Sequence, residues 1–380
     1  MTNPSDRPVV RQPAEQRYAE ELAALAFADQ GPRPAGWRLS PRAVRTFICG
    51  SDGDKLSYEW EGAKKKAPIS RKFYGDDILV ERTVIGLCGN RGVLLIGEPG
   101  TAKSMLSELL AAAISGTSLN VIQGTAATTE DQIRYSWNYA LLLAEGPSRK
   151  ALVPSALHVA MNAGILVRFE EITRCPPEVQ DTLVGILSEK VMMVPELEGD
   201  DRVVFARPGF NVIATANTRD RGVHEMSSAL KRRFNFETVP AIRDLESEIA
   251  LVSEESQRLL ADAGSPVAVD RNVVELLVTT FQDLRQGVTA EGIQVERPTT
   301  VMSTAEAVSV AMSAGLDAVY YGKGKVSPAE LGRHIAGAVL KDSPDDLQKL
   351  KHYFDVVVQK RAKGKKGLWE EYYKARKCLP

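Results

Sequence analysis

Val93-Leu94-Leu95-Ile96-Gly97-Glu98-Pro99-Gly100-Thr101-Ala102-Lys103-Ser104 passes from an apolar run into a glycine-bearing turn and then into a lysine–serine pair that opens a helical pattern. That order reads as a buried strand delivering a phosphate-binding loop. Each part has a physical reason. Flexible glycines let backbone N–H groups converge on phosphate oxygens, the Lys103 ammonium balances the β and γ charges, and the Ser104 hydroxyl is a ligand for Mg²⁺. One position departs from the general pattern, since Ala102 stands where glycine usually precedes the lysine.

Further along, Ile165-Leu166-Val167-Arg168-Phe169-Glu170-Glu171 is another apolar run, and it ends in paired carboxylates. At the end of a buried strand beside the loop, Glu170 would lie near Mg²⁺ and Glu171 would address a water attacking the γ-phosphate. The plainer alternative is a strand ending in solvated acids. A third run, Ile213-Ala214-Thr215-Ala216-Asn217, closes on an amide that can hold that water or the γ-phosphate, or simply make a turn. About fifteen residues later, Ala229-Leu230-Lys231-Arg232-Arg233-Phe234 sets a cationic triplet between apolar residues. Guanidinium groups stay charged and present a planar fork, which suits a phosphoryl transition state. Arg232 or Arg233, acting in trans, would complete a neighbouring subunit's site; a surface basic cluster is the alternative.

Around these motifs strands alternate with helices, which implies a parallel sheet with ligands at the carboxyl ends of its strands. Expected strands are the one ending at Ile96, Val121–Gln123, Ile165–Phe169, Asn211–Ala214 and Phe234–Val239, with a hairpin pairing Val191–Val194 against Val203–Ala206. The aromatic segment Thr128–Leu143 is expected as an insertion around a helix. After Pro240 the pattern is helical throughout, including one helix over Leu347–Gln359. Ahead of the sheet, Glu15–Ala28 is helical, Ser40-Pro41 starts a second helix, and 50–66 is a loop or small hairpin. The domains expected are a partly flexible helical extension over 1–69, a nucleotide-binding unit over 70–240, a helical lid over 241–345 and a helical tail over 346–380.

Composition narrows the partners. The chain has 380 residues, 44% hydrophobic and 26% charged, with a formal net charge of -1, so nothing global attracts nucleic acid or anionic lipid. Lys64-Lys65-Lys66 and the run from Lys360 to Lys366 lack interleaved aromatics on which bases could stack. Cys49, Cys88, Cys175 and Cys378 form no CxxC pair, and His158, His224, His334 and His352 are scattered, which argues against a zinc site and fits a reducing cytoplasm. The opening residues show no basic start followed by an apolar core, and no run reaches bilayer length, so neither secretion nor a membrane is expected.

The loop Gly97–Ser104, Phe169-Glu170-Glu171-Ile172-Thr173-Arg174 followed by Pro176-Pro177, Ile213–Asn217 and Leu230–Phe234 together resemble the AAA+ ATPases of the MoxR type, over about residues 70 to 340. Alanine before the lysine is frequent in that family. The resemblance implies an AAA+ αβα core with a parallel sheet, an all-helical lid, ATP and Mg²⁺ as ligands, and a ring that is usually hexameric. It implies two insertions, which map to Tyr135–Tyr139 and Val191–Ala206. It implies adenine contacts at Tyr74 and Gly75, and a lid arginine that opens a lid helix, for which Arg297 before Pro298-Thr299-Thr300 is the nearest candidate and Arg285 and Arg333 are substitutes. It also implies a protein client or adaptor, commonly one bearing a von Willebrand factor A domain, served by remodelling, maturation or metal insertion. The family's acidic pair begins with aspartate, so Glu170 implies a displaced Mg²⁺ shell and slow hydrolysis. A nucleotide-sensing scaffold with little turnover and a McrB-like nucleic-acid-associated NTPase are the rival readings.

Overall fold

The computed structural model describes residues 9–217, 224–265, 267–341, 343–364 and 367–380. Contacts divide the chain into two compact units: Met1–Gly97 with Ala102–Val239, and Glu98–Thr101 with Pro240–Pro380.

The first unit begins with α1 (Ala14–Arg17), α2 (Ala19–Ala28) and α3 (Pro41–Cys49). Ser40 caps α3, its hydroxyl accepting the Ala43 amide at 3.3 Å, and Pro41 fills the first turn with its φ already suited to a helix. Asp29 ties the end of α2 to that cap by accepting the Ser40 amide and hydroxyl, both at 2.6 Å. The lysine-bearing stretch is an antiparallel hairpin, β1 (Lys55–Trp60) with β2 (Ala63–Pro68). These elements are anchored. Glu108 accepts the Ala14 amide at 3.1 Å, and the buried Lys72 ammonium pairs with Glu21 and donates to the carbonyls of Phe47 and Ser70, both at 2.9 Å.

Next come α4 (Asp77–Cys88), β3 (Gly92–Gly97), α5 (Lys103–Ser115), β4 (Val121–Gln123), α6 (Glu130–Ile133), β5 (Tyr135–Trp137), α7 (Tyr139–Glu145), β6 (Leu152–Pro154), α8 (Ala156–Ala163) and β7 (Leu166–Glu170). They are followed by α9 (Pro177–Glu189), β8 (Val191–Met193), β9 (Val203–Phe205), β10 (Asn211–Asn217), α10 (Ser228–Lys231) and β11 (Phe234–Thr238). Five strands pair in parallel in the order β11-β3-β10-β7-β4. Their alternation divides the core between two faces. Val93, Leu95, Leu166 and Ile213 join one cluster with residues of α3, α4 and α5, while Leu94, Val167, Phe169, Val212 and Ala214 join the other with Leu157, Met161 and Leu183.

Sequence neighbours β3 and β4 are separated by β10 and β7, so the strand order reverses beside β3, the place where open parallel sheets generally take ligands at the carboxyl ends of their strands. The aromatic insertion holds more than the expected helix: β5 pairs antiparallel with β6. The hairpin expected after α9 is present as β8 with β9, Val191 opposite Phe205.

The second unit is helical after Pro240: α11 (Leu245–Asp262), α12 (Arg271–Gln286), α13 (Thr304–Tyr320), α14 (Pro328–Val339), α15 (Asp345–Tyr353), α16 (Gln359–Gly364) and α17 (Leu368–Lys374). The single helix expected over Leu347–Gln359 is interrupted by a π-helical turn at Phe354–Val358 that joins α15 to α16. Phe281, Leu331, Tyr353 and Phe354 are among its buried core. Among the described residues, no helix is long and apolar enough to cross a membrane.

Candidate functional site

The loop between β3 and α5 owes its shape to two left-handed residues, Gly100 at φ +76° and Ala102 at φ +64°. Glycine reaches that region freely, whereas a residue with a Cβ incurs about 1 kcal/mol or more there, so Ala102 is strained where the general pattern has glycine. The turn folds the buried Lys103 side chain back, and its ammonium donates to the Gly97 carbonyl at 3.0 Å. Thr101 closes the tip by donating its hydroxyl to the Glu98 carbonyl at 3.0 Å.

Register brings the strand ends together. Asn217 pairs with Gly97, the first residue of the loop, and Ala214 pairs with Phe169, which sets Thr215 beside Glu170. The Glu170 carboxylate is 5% exposed and accepts four hydrogen bonds. Ser104 Oγ and Thr215 Oγ1 donate to Oε2, both at 2.7 Å; Ser107 Oγ and Arg168 Nη2 donate to Oε1 at 2.6 and 2.9 Å. Burial would push this carboxyl up, but Ser107, Arg168, Ser104 and Thr215 together outweigh it and hold the group below the usual carboxylate range.

The neighbouring acid is placed differently. Glu171 sits at φ +54° where β7 breaks into a 3₁₀ turn, and its amide donates to Thr215 Oγ1 at 3.0 Å. Its half-buried carboxylate is ion-paired with the Nε of Arg174, one turn along. Ser104 Oγ and Glu170 are hard oxygen donors, the kind Mg²⁺ takes when substrate phosphates and water complete its shell, so the residues fit that ion. Among the described residues no group of His, Cys, Asp and Glu gathers into an all-protein metal cage.

The remaining candidates are more dispersed. Arg232 caps the C-terminus of α10 and is exposed, whereas Arg233 is committed inward, its Nε donating to Ser188 Oγ at 2.8 Å and its Nη1 to the Ala229 carbonyl at 3.4 Å. Tyr74 and Gly75 precede α4, which Asp76 caps by accepting the Ile78 amide at 2.9 Å. The helix start expected at Arg297 requires a correction. Arg297 was expected to open a helix, yet α13 starts at Thr304 under a Ser303 cap, because Ser303 and Glu306 form a reciprocal capping box there. Arg297 instead donates to the Gln286 carbonyl at the end of α12. Of the substitutes, Arg285 pairs with buried Glu248 at 2.7 Å and donates to the Met302 carbonyl at 2.9 Å, and the half-exposed Arg333 pairs with Asp317 at 3.2 Å.

Sequence reasoning missed Arg168, Ser107 and Thr215. The signal for the first was an arginine inside an otherwise apolar strand, a placement that needs a buried partner.

Residues 92–234 match the AAA domain of the dynein-related subfamily, and residues 246–380 match the C-terminal domain of YehL-like AAA+ ATPases. YehL of Escherichia coli strain K12 is 50% identical over 378 residues, covering 100% of both chains. YojN of Bacillus subtilis strain 168 is 25% identical over 230 residues, 58% of this chain and 70% of that one. Among solved structures, NtrX from Brucella abortus in complex with ATP resembles the chain with a TM-score of 0.44 at 14% identity, over 80% of this chain and 68% of that one.

Proposed function

The chain belongs to the YehL-like AAA+ ATPase family, and from that premise we infer that it binds ATP in the Gly97–Ser104 loop and hydrolyses it within a ring of identical subunits. The observation that carries this reading is the 2.7 Å hydrogen bond from Ser104 to Glu170, which joins the first turn of α5 to the acidic end of β7. Lys103 and the loop amides bind the phosphates. Ser104 and Glu170 would hold Mg²⁺, whose charge offsets that of the β- and γ-phosphates when it is bound. Glu171, once parted from Arg174, accepts a proton from the attacking water, and Asn217, in register with Gly97, orients that water. Exposed Arg232 reaches the γ-phosphate of the adjacent subunit, while Arg233 holds α10 on α9 through Ser188.

The four-motif likeness to MoxR-type proteins supports a finer reading: a hexameric cytoplasmic ring that couples turnover to remodelling, maturation or metal insertion of a protein partner, one carrying a von Willebrand factor A domain. The ion pair between Glu171 and Arg174 favours a second reading, a nucleotide-sensing scaffold with little turnover, because a carboxylate engaged by a guanidinium is not free to take a proton.

Mixing two inactive variants tests the shared site. Lys103→Ala lacks the cradle cation and Arg232→Ala lacks the trans guanidinium, so each alone is expected to lose nearly all ATPase activity. In mixed rings, some interfaces pair an intact cradle with an intact arginine, and activity returns. Mixtures as inactive as their components, although sizing shows that they assemble together, count against the trans role.

A further inference from the structure

Arg168 stands within β7 between Val167 and Phe169, in a strand buried on both faces, and all three nitrogens of its guanidinium are in use. Nε donates to Ser107 Oγ at 3.0 Å, Nη1 to the Ser118 carbonyl at 3.0 Å, and Nη2 to the Ser104 carbonyl at 3.1 Å and to Glu170 Oε1 at 2.9 Å. Ser107 donates to that same oxygen at 2.6 Å. The two carboxylate oxygens therefore have separate tasks. Oε1 is held from behind by Arg168 and Ser107, while Oε2 meets Ser104 and Thr215.

A glutamate at this place has one more rotatable bond than an aspartate, hence more ways to carry its carboxylate off target. A planar fork that is itself fixed at three other points removes that freedom, which a single ammonium cannot do. Building on the Mg·ATP reading above, we propose that Arg168 is a positioning residue: by anchoring Oε1 of Glu170 it keeps Oε2 aimed at Ser104, the edge that would face Mg²⁺. The arginine and the longer acid act as one unit.

The test uses the full chain and a fluorescent ATP analogue, titrated once in EDTA and once with Mg²⁺. Native protein is expected to bind more tightly with Mg²⁺. In Arg168→Met the EDTA affinity stays close to native while the Mg²⁺-dependent gain falls by about tenfold, the scale of one charge-assisted hydrogen bond. Arg168→Lys, which retains the charge and loses the fork, falls in between and carries the test if the methionine variant fails to fold. Arg168→Met/Glu170→Asp regains part of the loss, because the shorter acid needs no anchor; a purely structural role for Arg168 predicts no such recovery. The proposal is overturned if Arg168→Met retains the whole Mg²⁺-dependent gain, or if its EDTA and Mg²⁺ affinities fall by the same factor. Native protein that binds the analogue under neither condition overturns the ATP reading, and this inference with it.

Discussion

Glu170 in the first unit and Glu248 in the second are both glutamates with almost no exposed surface, 5% and 0%, and each is ringed by donors that include an arginine. Glu248 accepts from Gln282 at 2.7 Å, from Arg285 at 2.7 and 3.1 Å, and from Thr304 at 2.6 Å. Those partners lie on α12 and α13, so the cluster staples them to α11. One of the donors to Glu170 is instead Ser104, an exposed residue beside Lys103 in the phosphate loop. Burial and pairing alone do not separate a site from a staple. The distinguishing feature is a donor that is itself exposed, beside the lysine of the phosphate loop.

The contrast breaks most visibly at the arginines. Arg232→Ala is expected to lower ATP turnover by about a thousandfold, the lower end of what a trans guanidinium supplies, with ATP affinity unchanged. Arg233→Ala, already tied to Ser188, is expected to do much less. Steady-state phosphate release and equilibrium binding separate the two, and equal losses would erase the distinction. Next in size, Glu248→Ala leaves Arg285 buried without its partner and is expected to cost the second unit about 3–5 kcal/mol. Urea unfolding followed through the helical signal measures that loss. A change confined to ATP affinity would make Glu248 part of a site after all.

Much of this was legible in the sequence. The phosphate loop, the acidic strand end and the strand-tip asparagine could be read because each combines an apolar run with a polar terminus, and both the run and its end are local. The ring of donors around Glu170 was not legible, because Ser107 lies on α5, Thr215 on β10 and Arg168 on β7; only the register of the folded sheet makes them neighbours. The strand β6 escaped notice for a similar reason, being three residues long and paired with β5 across an intervening helix. The start of α13 was not legible at Arg297, because the capping box at Ser303 and Glu306 sets it later.

Two smaller effects sharpen the comparison. Ala102→Gly relieves the left-handed strain in the loop and loosens the unfolded chain, for a net stabilisation of up to about 1 kcal/mol. A higher melting temperature for the variant checks it, and a lower one would mean that the Cβ of Ala102 makes packing contacts worth more than the strain. In the second unit, the hydrogen bonds from Arg361 hold the Glu291 carboxyl at about 2, well below its ordinary 4.5. A depressed carboxyl contributes stability that is complete above its ordinary value and fades as pH falls from 4.5 toward 2. Glu291 is half exposed, so solvent screening limits the contribution to about 1 kcal/mol or less. Unfolding of Glu291→Gln across that acid range is expected to show a shallower pH dependence than the native chain, and identical slopes would remove the pair from the stability of this unit.

The most direct test of the account is phosphate release from Mg·ATP by the native protein and by Glu171→Gln, with ATP binding measured on both. The account predicts that the variant binds ATP as the native chain does and turns it over about a hundredfold or more slowly, the scale of a lost general base. Equal rates for the two proteins would contradict it.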